Sequence, residues 1–296
     1  MPQIHAFSPT DFSDYELLDS GNFLKLERFG SYITIRPEPQ AVWDAHQNMK
    51  EWEQQAHVRF VPKSSSAGDW KKLQNTMPDR WNISYKLPNN DKNLLFLLSL
   101  TSFKHVGIFP EQATNWNYIA DSISRLKVPQ PKFLNLFAYT GAASLAARTS
   151  GADVTHVDSI KQVVSWANEN QQLSGLDNIR WVVEDALKFV KREQKRGNFY
   201  HGIILDPPAF GHGANGEKWK LEDNINEMMQ VVLHLLNPEK HFLILNAYSL
   251  GFSSLILENL VRQNFKPENI EVGELFLKDG HAKNLPLGAF ARFRKV

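Results

Sequence analysis

The segment Ile203-Ile204-Leu205-Asp206-Pro207-Pro208-Ala209-Phe210-Gly211 sets a carboxylate, two prolines and an aromatic ring directly after three apolar residues. Such a turn suits a flat, amine-bearing ring. Asp206 and the Pro207 carbonyl can accept from the amine, and Phe210 offers a face for stacking. A tight turn closing a core strand would use the same residues, so the segment alone leaves both readings open. Three upstream turns repeat the arrangement. Phe137-Ala138-Tyr139-Thr140-Gly141 precedes Ala142 to Thr149, which is small, helix-favouring and includes Ser144. Asp158-Ser159 follows Asp153 to Val157, and Glu184-Asp185-Ala186 follows Ile179 to Val183. The first turn holds one glycine, unlike G-x-G-x-x-G, and a single close backbone approach suits a ligand without a pyrophosphate. An acid about 20 residues past such a turn accepts from ribose hydroxyls in dinucleotide folds, and Asp158 stands at about that distance. Asp185 is placed to accept from an adenine amine, with Ala186 leaving room for the ring. The alternative for Asp158 and Ser159 is a cap on the helix that follows; for Asp185 it is a cap on the helix over Leu187 to Lys195.

These turns need a scaffold, and the chain supplies one. Phe133 to Phe137, Asp153 to Asp158, Ile179 to Val183, Ile203 to Leu205 and His241 to Leu245 read as buried strands, each followed by a helical pattern. Asn224 to Leu236 carries apolar residues at helical spacing and ends at Asn237-Pro238; Ser253 to Gln263 is a further helix. Glu271 to Leu277 and Gly288 to Phe293 read as two terminal strands. Four strand ends thus present Gly141, Asp158, Asp185 and Asp206 in chain order, at the edge where open α/β sheets bind ligands. Before about residue 120 the composition differs: Trp43, Trp52, Trp70, Trp81 and Trp116 stand among prolines and turn residues. Asn22 to Gly30 alternates as a half-exposed strand would, and Tyr32 to Ile35, Trp81 to Leu87 and Leu94 to Ser99 suggest more strands. Residues 1–119 are therefore expected as a mainly β accessory module and 120–296 as the catalytic domain. Lys63 to Asp69 is expected as a mobile loop, and Gly211 to Gly216 as a glycine-rich lid.

With 42% hydrophobic and 22% charged residues, the chain is an ordinary globular protein. It has no cysteine, which excludes disulfides, thiolate metal sites and cysteine nucleophiles and fits a cytoplasmic protein. Its histidines form no His-x-x-x-His pair, so no metal is expected. No apolar run reaches spanning length and no secretory leader is evident, so no membrane role is expected. A net charge of +1 gives no global affinity for polyanions. The run Lys188, Lys191, Arg192, Lys195 and Arg196 reads as the solvated face of a helix.

Taken together, the chain resembles class I S-adenosylmethionine-dependent methyltransferases of the bacterial large-subunit ribosomal RNA methyltransferase I type. The resemblance runs through Tyr15 to Gly21, Lys25 to Gly30, Val106-Gly107-Ile108-Phe109-Pro110-Glu111-Gln112, Asn135 to Gly141, Asp206 to Phe210 and Leu285 to Phe290. It implies an α/β fold: a Rossmann-like seven-stranded methyltransferase sheet, mostly parallel with an antiparallel terminal hairpin at its edge, beside an N-terminal mainly β module. It implies S-adenosyl-L-methionine as cofactor, with Phe109, Glu111 and Gln112 beside it and the Phe137 to Gly141 turn against its methionine part. It suggests RNA, chiefly ribosomal, as substrate, and a monomer or homodimer. Relatives that make 5-methylcytosine carry a Ser-Cys-Ser turn where this chain has Ala247-Tyr248-Ser249. Without that cysteine the target is a nitrogen, which needs no covalent adduct. Asp206 and Pro207 then orient the amine, Phe210 stacks on the base and Tyr248 closes the pocket. Two rivals stand beside this reading: methylation of a protein side chain or small amine, favoured by an acidic pocket, and a binding module without turnover.

Overall fold

Residues 3–64, 67–88, 90–213, 216–249 and 251–296 are described in the computed structural model of this chain. The centre of the Lys63 to Asp69 loop and residues 214–215 of the expected lid lie outside them. After β1 (Ile4–Phe7), β2 (Tyr15–Gly21), β3 (Leu24–Phe29) and β4 (Tyr32–Pro37) form an antiparallel meander. Helix α1 (Met49–Gln55) starts in a capping box: the Asn48 side chain accepts from the amides of Lys50 and Glu51, while Glu51 accepts from the Asn48 amide. It buries Trp52 against Leu26 and Ile35 and leads to β5 (Val58–Pro62), parallel to β4, and its hairpin partner β6 (Gly68–Lys72). β7 (Arg80–Lys86) and β8 (Asn93–Ser99) pair separately, with Trp81, Ile83 and Tyr85 turned inward beside Leu94, Phe96 and Leu98. The half-exposed alternation expected of β3 is not what forms. Lys25 is 8% and Glu27 0% exposed, because the face opposite Leu26 is closed by the rest of the molecule.

A 3-10 turn at Pro110–Gln112 opens α2 (Ala113–Leu126), inside which the expected boundary near residue 120 falls. Then follow β9 (Lys132–Leu136), α3 (Ala142–Thr149), β10 (Asp153–Asp158), α4 (Lys161–Leu173), β11 (Ile179–Val183), α5 (Ala186–Lys195) and β12 (Gly202–Leu205). A small hairpin, β13 (Phe210–His212) and β14 (Lys218–Lys220), precedes α6 (Leu221–Leu233), β15 (His241–Ala247), α7 (Ser254–Phe265), β16 (Glu271–Lys278) and β17 (Asn284–Lys295). The large sheet runs β1-β16-β17-β15-β12-β9-β10-β11, and only β17 is antiparallel to its neighbours. It is the mostly parallel, Rossmann-like sheet that was expected, with eight strands in place of seven. β1 takes the edge beside β16, so the terminal hairpin is interior. Ile4 to Phe7 is too short and too weakly patterned to announce a strand. It satisfies the open edge of β16, and Phe7 stacks on Phe290 at 5.4 Å between ring centroids.

The apolar runs are buried on both faces, as parallel strands require. Leu134, Ile203, Leu205, Leu243 and Leu245 join the core with α5, α6 and α7. Phe133, Ile204, Phe242 and Ile244 join the core with α2, α3 and the N-terminal strands. The order reverses at β9, whose neighbours are β10 and β12. That switch point opens a crevice beyond the carboxyl ends of these strands.

Candidate active site

β9 stops at Leu136, one residue sooner than expected, because the backbone turns left-handed. Phe137, Tyr139 and Gly141 have φ of 56°, 48° and 88°. Non-glycine residues there cost on the order of 1–3 kcal/mol each, so the surroundings must hold them. The Ala138 amide donates to Val157 O at 3.1 Å and the Gly141 amide to Ala138 O at 3.0 Å. The Tyr139 amide donates to Asp158 Oδ2 at 2.9 Å. Thr140 Oγ1 donates to Gly107 O at 2.6 Å, and Asn170 Nδ2 donates to Thr140 O at 2.9 Å. Ser144 Oγ lies within hydrogen-bond distance of Asn135 Nδ2 and His156 Nδ1, and burial pushes the His156 ring down to about 3, so it is neutral.

Beyond this turn lies a cavity of about 910 Å³ at the switch point. Phe109, Glu111, Gln112, Phe137, Tyr139, Asp158, Ser159, Asp185 and Ala186 all line it, as do Asp206, Pro207, Phe210 and Tyr248. Ala138, Thr140, Gly141, Ser144 and Glu184, expected at the ligand, do not line it. The first four brace the turn from behind, and Glu184 pairs with Arg192 on α5. Asp158 does not cap α4, whose N-cap position is Ile160. Its Oδ1 instead accepts from the Ile160 amide at 3.0 Å while Oδ2 holds Tyr139, and burial raises its pKa. Asp185 caps α5 by accepting from the Lys188 amide at 2.9 Å and also borders the cavity. Asp158, Asp185 and the small Ala186 suit an adenosine group, with acceptors for ribose hydroxyls and an exocyclic amine. Glu111 and Gln112 add buried polar groups to the lining.

Asp206 accepts from Asn246 Nδ2 at 2.7 Å on Oδ1. Burial pushes its carboxyl up to about 6, opposed by that bond. Burial likewise pushes Glu111 up to about 7, with the Lys25 ammonium opposing and the Asp206 carboxylate reinforcing. Phe210 is 69% exposed and begins the β13–β14 hairpin, which stands where a glycine-rich lid was expected. Trp219 ties this hairpin to the turn: its Nε1 donates to Pro208 O at 2.8 Å and its ring packs on Phe137 at 4.7 Å. Tyr248 is 38% exposed, and its hydroxyl donates to Glu38 Oε1 at 2.6 Å.

Glu38 belongs to the N-terminal module, which sequence reasoning did not bring to this site. Lys25 Nζ lies 3.3 Å from Glu38 and 3.6 Å from Glu27. Arg36 grips Glu27 through Nε at 2.7 Å and Nη2 at 2.8 Å, and the Tyr15 hydroxyl donates to the same carboxylate at 2.9 Å. Burial opposes ionisation of Glu27, but Arg36 and Lys25 hold its carboxyl below the usual range. Lys25, Arg36 and Glu38 line the cavity with Lys104 and His105. Asn246 had a usable signal, a polar residue at the carboxyl end of an apolar strand. The charges on β3 and β4 had none, since alternation with apolar residues reads as a solvated face. Among the described residues no group of histidine and carboxylate side chains could hold a metal, and no helix is long and apolar enough to cross a membrane.

Residues 112–241 match the family described as Conserved hypothetical protein 95. The chain is 36% identical to a SAM-dependent methyltransferase from Agrobacterium tumefaciens, whose crystal structure superposes with a TM-score of 0.90 over 100% of this chain and 96% of that one. A protein from Streptococcus mutans described as a SAM-dependent methyltransferase matches at 16% identity with a TM-score of 0.73, covering 97% of this chain and 76% of its own, which shows the fold alone. Ribosomal RNA large subunit methyltransferase K/L from Shewanella frigidimarina is 31% identical over 155 residues, covering 51% of this chain and 21% of that protein. The chain thus spans about a fifth of the length of the curated relatives it matches, and they carry the K/L designation where the sequence pattern suggested the I type.

Proposed function

The chain belongs to the S-adenosylmethionine-dependent methyltransferases, and from that membership we propose that it methylates a base nitrogen in RNA, with ribosomal RNA as the substrate. The carrying observation is that Asp206, held by Asn246, faces the same cavity as Asp158, with the exposed ring of Phe210 beside it. S-adenosylmethionine supplies an electrophilic methyl group on a sulfonium. Asp158 accepts from the ribose hydroxyls, Asp185 accepts from the adenine amine, and Ala186 leaves space for the ring. Glu111 and Gln112 face the rest of the cofactor, against the Phe137 to Gly141 turn. The Asp206 carboxylate and the Pro207 carbonyl accept from the target amine and aim its lone pair, which must approach in line at about 3–3.5 Å. With its pKa raised toward neutrality, Asp206 can take up the proton released on transfer at Oδ2, the oxygen not used by Asn246. Phe210 stacks on a base swung out of its helix, and Tyr248 closes the pocket. The lack of any cysteine supports a nitrogen target over the covalent route to carbon-5.

RNA is supported by the names of curated relatives such as those from Shewanella frigidimarina and Shewanella pealeana, which are ribosomal RNA large subunit methyltransferases. A second reading, transfer to an amine of a protein or small molecule, draws on the cavity's charge. Lys25, Arg36 and Lys104 face Glu38, Glu111, Asp158, Asp185, Asp206 and Glu222, so the lining is acidic. Part of that charge suits the cationic cofactor itself. Labelled methyl transfer from S-adenosylmethionine to ribosomal RNA, taken from cells lacking this protein, tests the proposal. Incorporation into RNA that survives protease and localises to one base nitrogen is expected. Incorporation into protein or small amines alone would replace the first reading by the second.

A further inference from the structure

β2 and β3 are joined by two residues, Asn22 and Phe23, since Gly21 pairs with Leu24. Both are left-handed, with φ of 53° and 63°. This is the geometry of a type I′ turn, where glycine is the favoured second residue. Here the second residue is a phenylalanine, 59% exposed. A bulky ring at that position is costly for the fold and, being exposed, returns little burial. The turn is also rigid: the amides of Asn22 and Phe23 donate to Trp43 O at 2.7 Å and Ala41 O at 2.8 Å.

The β3–β4 register shows which way this face looks. Lys25 pairs with Arg36 and Leu24 with Pro37, so Phe23 and Glu38 are next in the ladder, and the Glu38 amide donates to Phe23 O at 2.8 Å. Side chains directly opposite one another share a face, and that face alternates along the strand. Lys25, Arg36 and Glu38 line the cavity, while Leu24 and Leu26 pack on the other side with Trp52. The bond from the Glu38 amide sets the Asn22–Phe23 turn against Glu38 at the edge of the cavity, although Phe23 is not itself part of the lining. Lys104, half-buried and part of the lining, makes no ion pair among the described residues; its Nζ donates at 3.4 Å to the O of Pro37, the partner of Leu24, and Phe103, next to it in sequence, is exposed.

We infer that Phe23 is a base-stacking contact for a nucleotide of single-stranded RNA neighbouring the one held in the cavity, an inference that rests on the RNA reading above. A ring fixed at the cavity edge, with a cavity-lining cation that makes no ion pair among the described residues, suits a base and its phosphate, because every base offers a π face whatever its sequence.

The test is fluorescence anisotropy of the full chain with a labelled single-stranded RNA oligonucleotide of mixed sequence, using wild type, Phe23→Gly, Phe23→Leu and Phe23→Tyr. Loss of one stacked base should weaken binding by about 5- to 150-fold in the Gly and Leu variants, and Phe23→Tyr should retain it. Phe23→Gly should melt no lower than wild type, since glycine relieves the left-handed strain, and all three should bind S-adenosylmethionine normally by calorimetry. Wild-type RNA affinity in the Gly or Leu variant overturns the inference while the RNA reading stands. A loss in Phe23→Tyr equal to that in Phe23→Gly overturns it too. A wild-type protein that binds no RNA overturns both.

Discussion

Asp206→Asn is expected to give a more stable but inactive protein. The Asp206 carboxyl ordinarily ionises near 3.8, and burial pushes it up to about 6 in the fold. Between these values the folded protein still holds a proton that the unfolded chain has released. Stability therefore falls as pH rises from about 4 to about 6, and above that the full cost is present. A shift of about 2 units corresponds to about 3 kcal/mol. The amide of the variant carries no charge and keeps an acceptor for Asn246 Nδ2, so most of that cost is removed. By thermal unfolding without ligand, the variant should melt about 5 °C above wild type near neutral pH, and the gap should close by about pH 4. Glu111, whose raised pKa owes part to the Asp206 charge, should titrate lower in the variant. Methyl transfer should fall by at least about 100-fold, as expected for a group that orients and deprotonates the nucleophile. A variant that melts at or below wild type near neutral pH refutes the burial argument. A higher melting point with undiminished transfer refutes the role given to Asp206.

Two further outcomes follow from the turns around the cavity. Gly107 has φ of 112° and lies against the Trp166 ring, which leaves no space for a Cβ, so Gly107→Ala should lower stability by about 2–5 kcal/mol in urea unfolding. Because Gly107 O accepts from Thr140, calorimetry should also show weaker S-adenosylmethionine binding in that variant. Asp158→Asn puts an amide donor against one of the two amides that Asp158 now accepts from, at Tyr139 and Ile160, and should weaken S-adenosylmethionine by at least about 10-fold. Unchanged affinity would mean that the carboxylate is only a brace for the Phe137 to Gly141 turn.

The parallel sheet was legible because its strands are short apolar runs buried on both faces, separated by helical periodicity. Ile203-Ile204-Leu205 and Phe242 to Leu245 alternate between two cores, a pattern that no solvated strand would carry. The strand-end acids were legible for the same reason, since a polar residue that ends an apolar run stands out. Less visible was which residues of each turn face inward. Thr140 and Gly141 sit in the predicted turn and Ser144 in the first turn of α3, yet with Phe137 and Tyr139 left-handed none of the three lines the cavity. β1 was invisible because its four residues gain their stability from the edge they cover.

The sequence by itself determined the chain order of Gly141, Asp158, Asp185 and Asp206 at successive strand ends, and through the missing cysteine the chemistry left open to them. Both are local properties, written in runs of a few residues and in composition. Only the tertiary structure decided that Lys25, Arg36 and Glu38 line the same cavity, and that Glu38 receives the hydroxyl of Tyr248, 210 residues away in sequence. Their buried face carries the same alternation as a solvated one. Charges are concealed there because ion pairs and hydrogen bonds across the fold, with Glu27 at their centre, compensate for their desolvation, and such pairing leaves no mark in any short stretch of sequence.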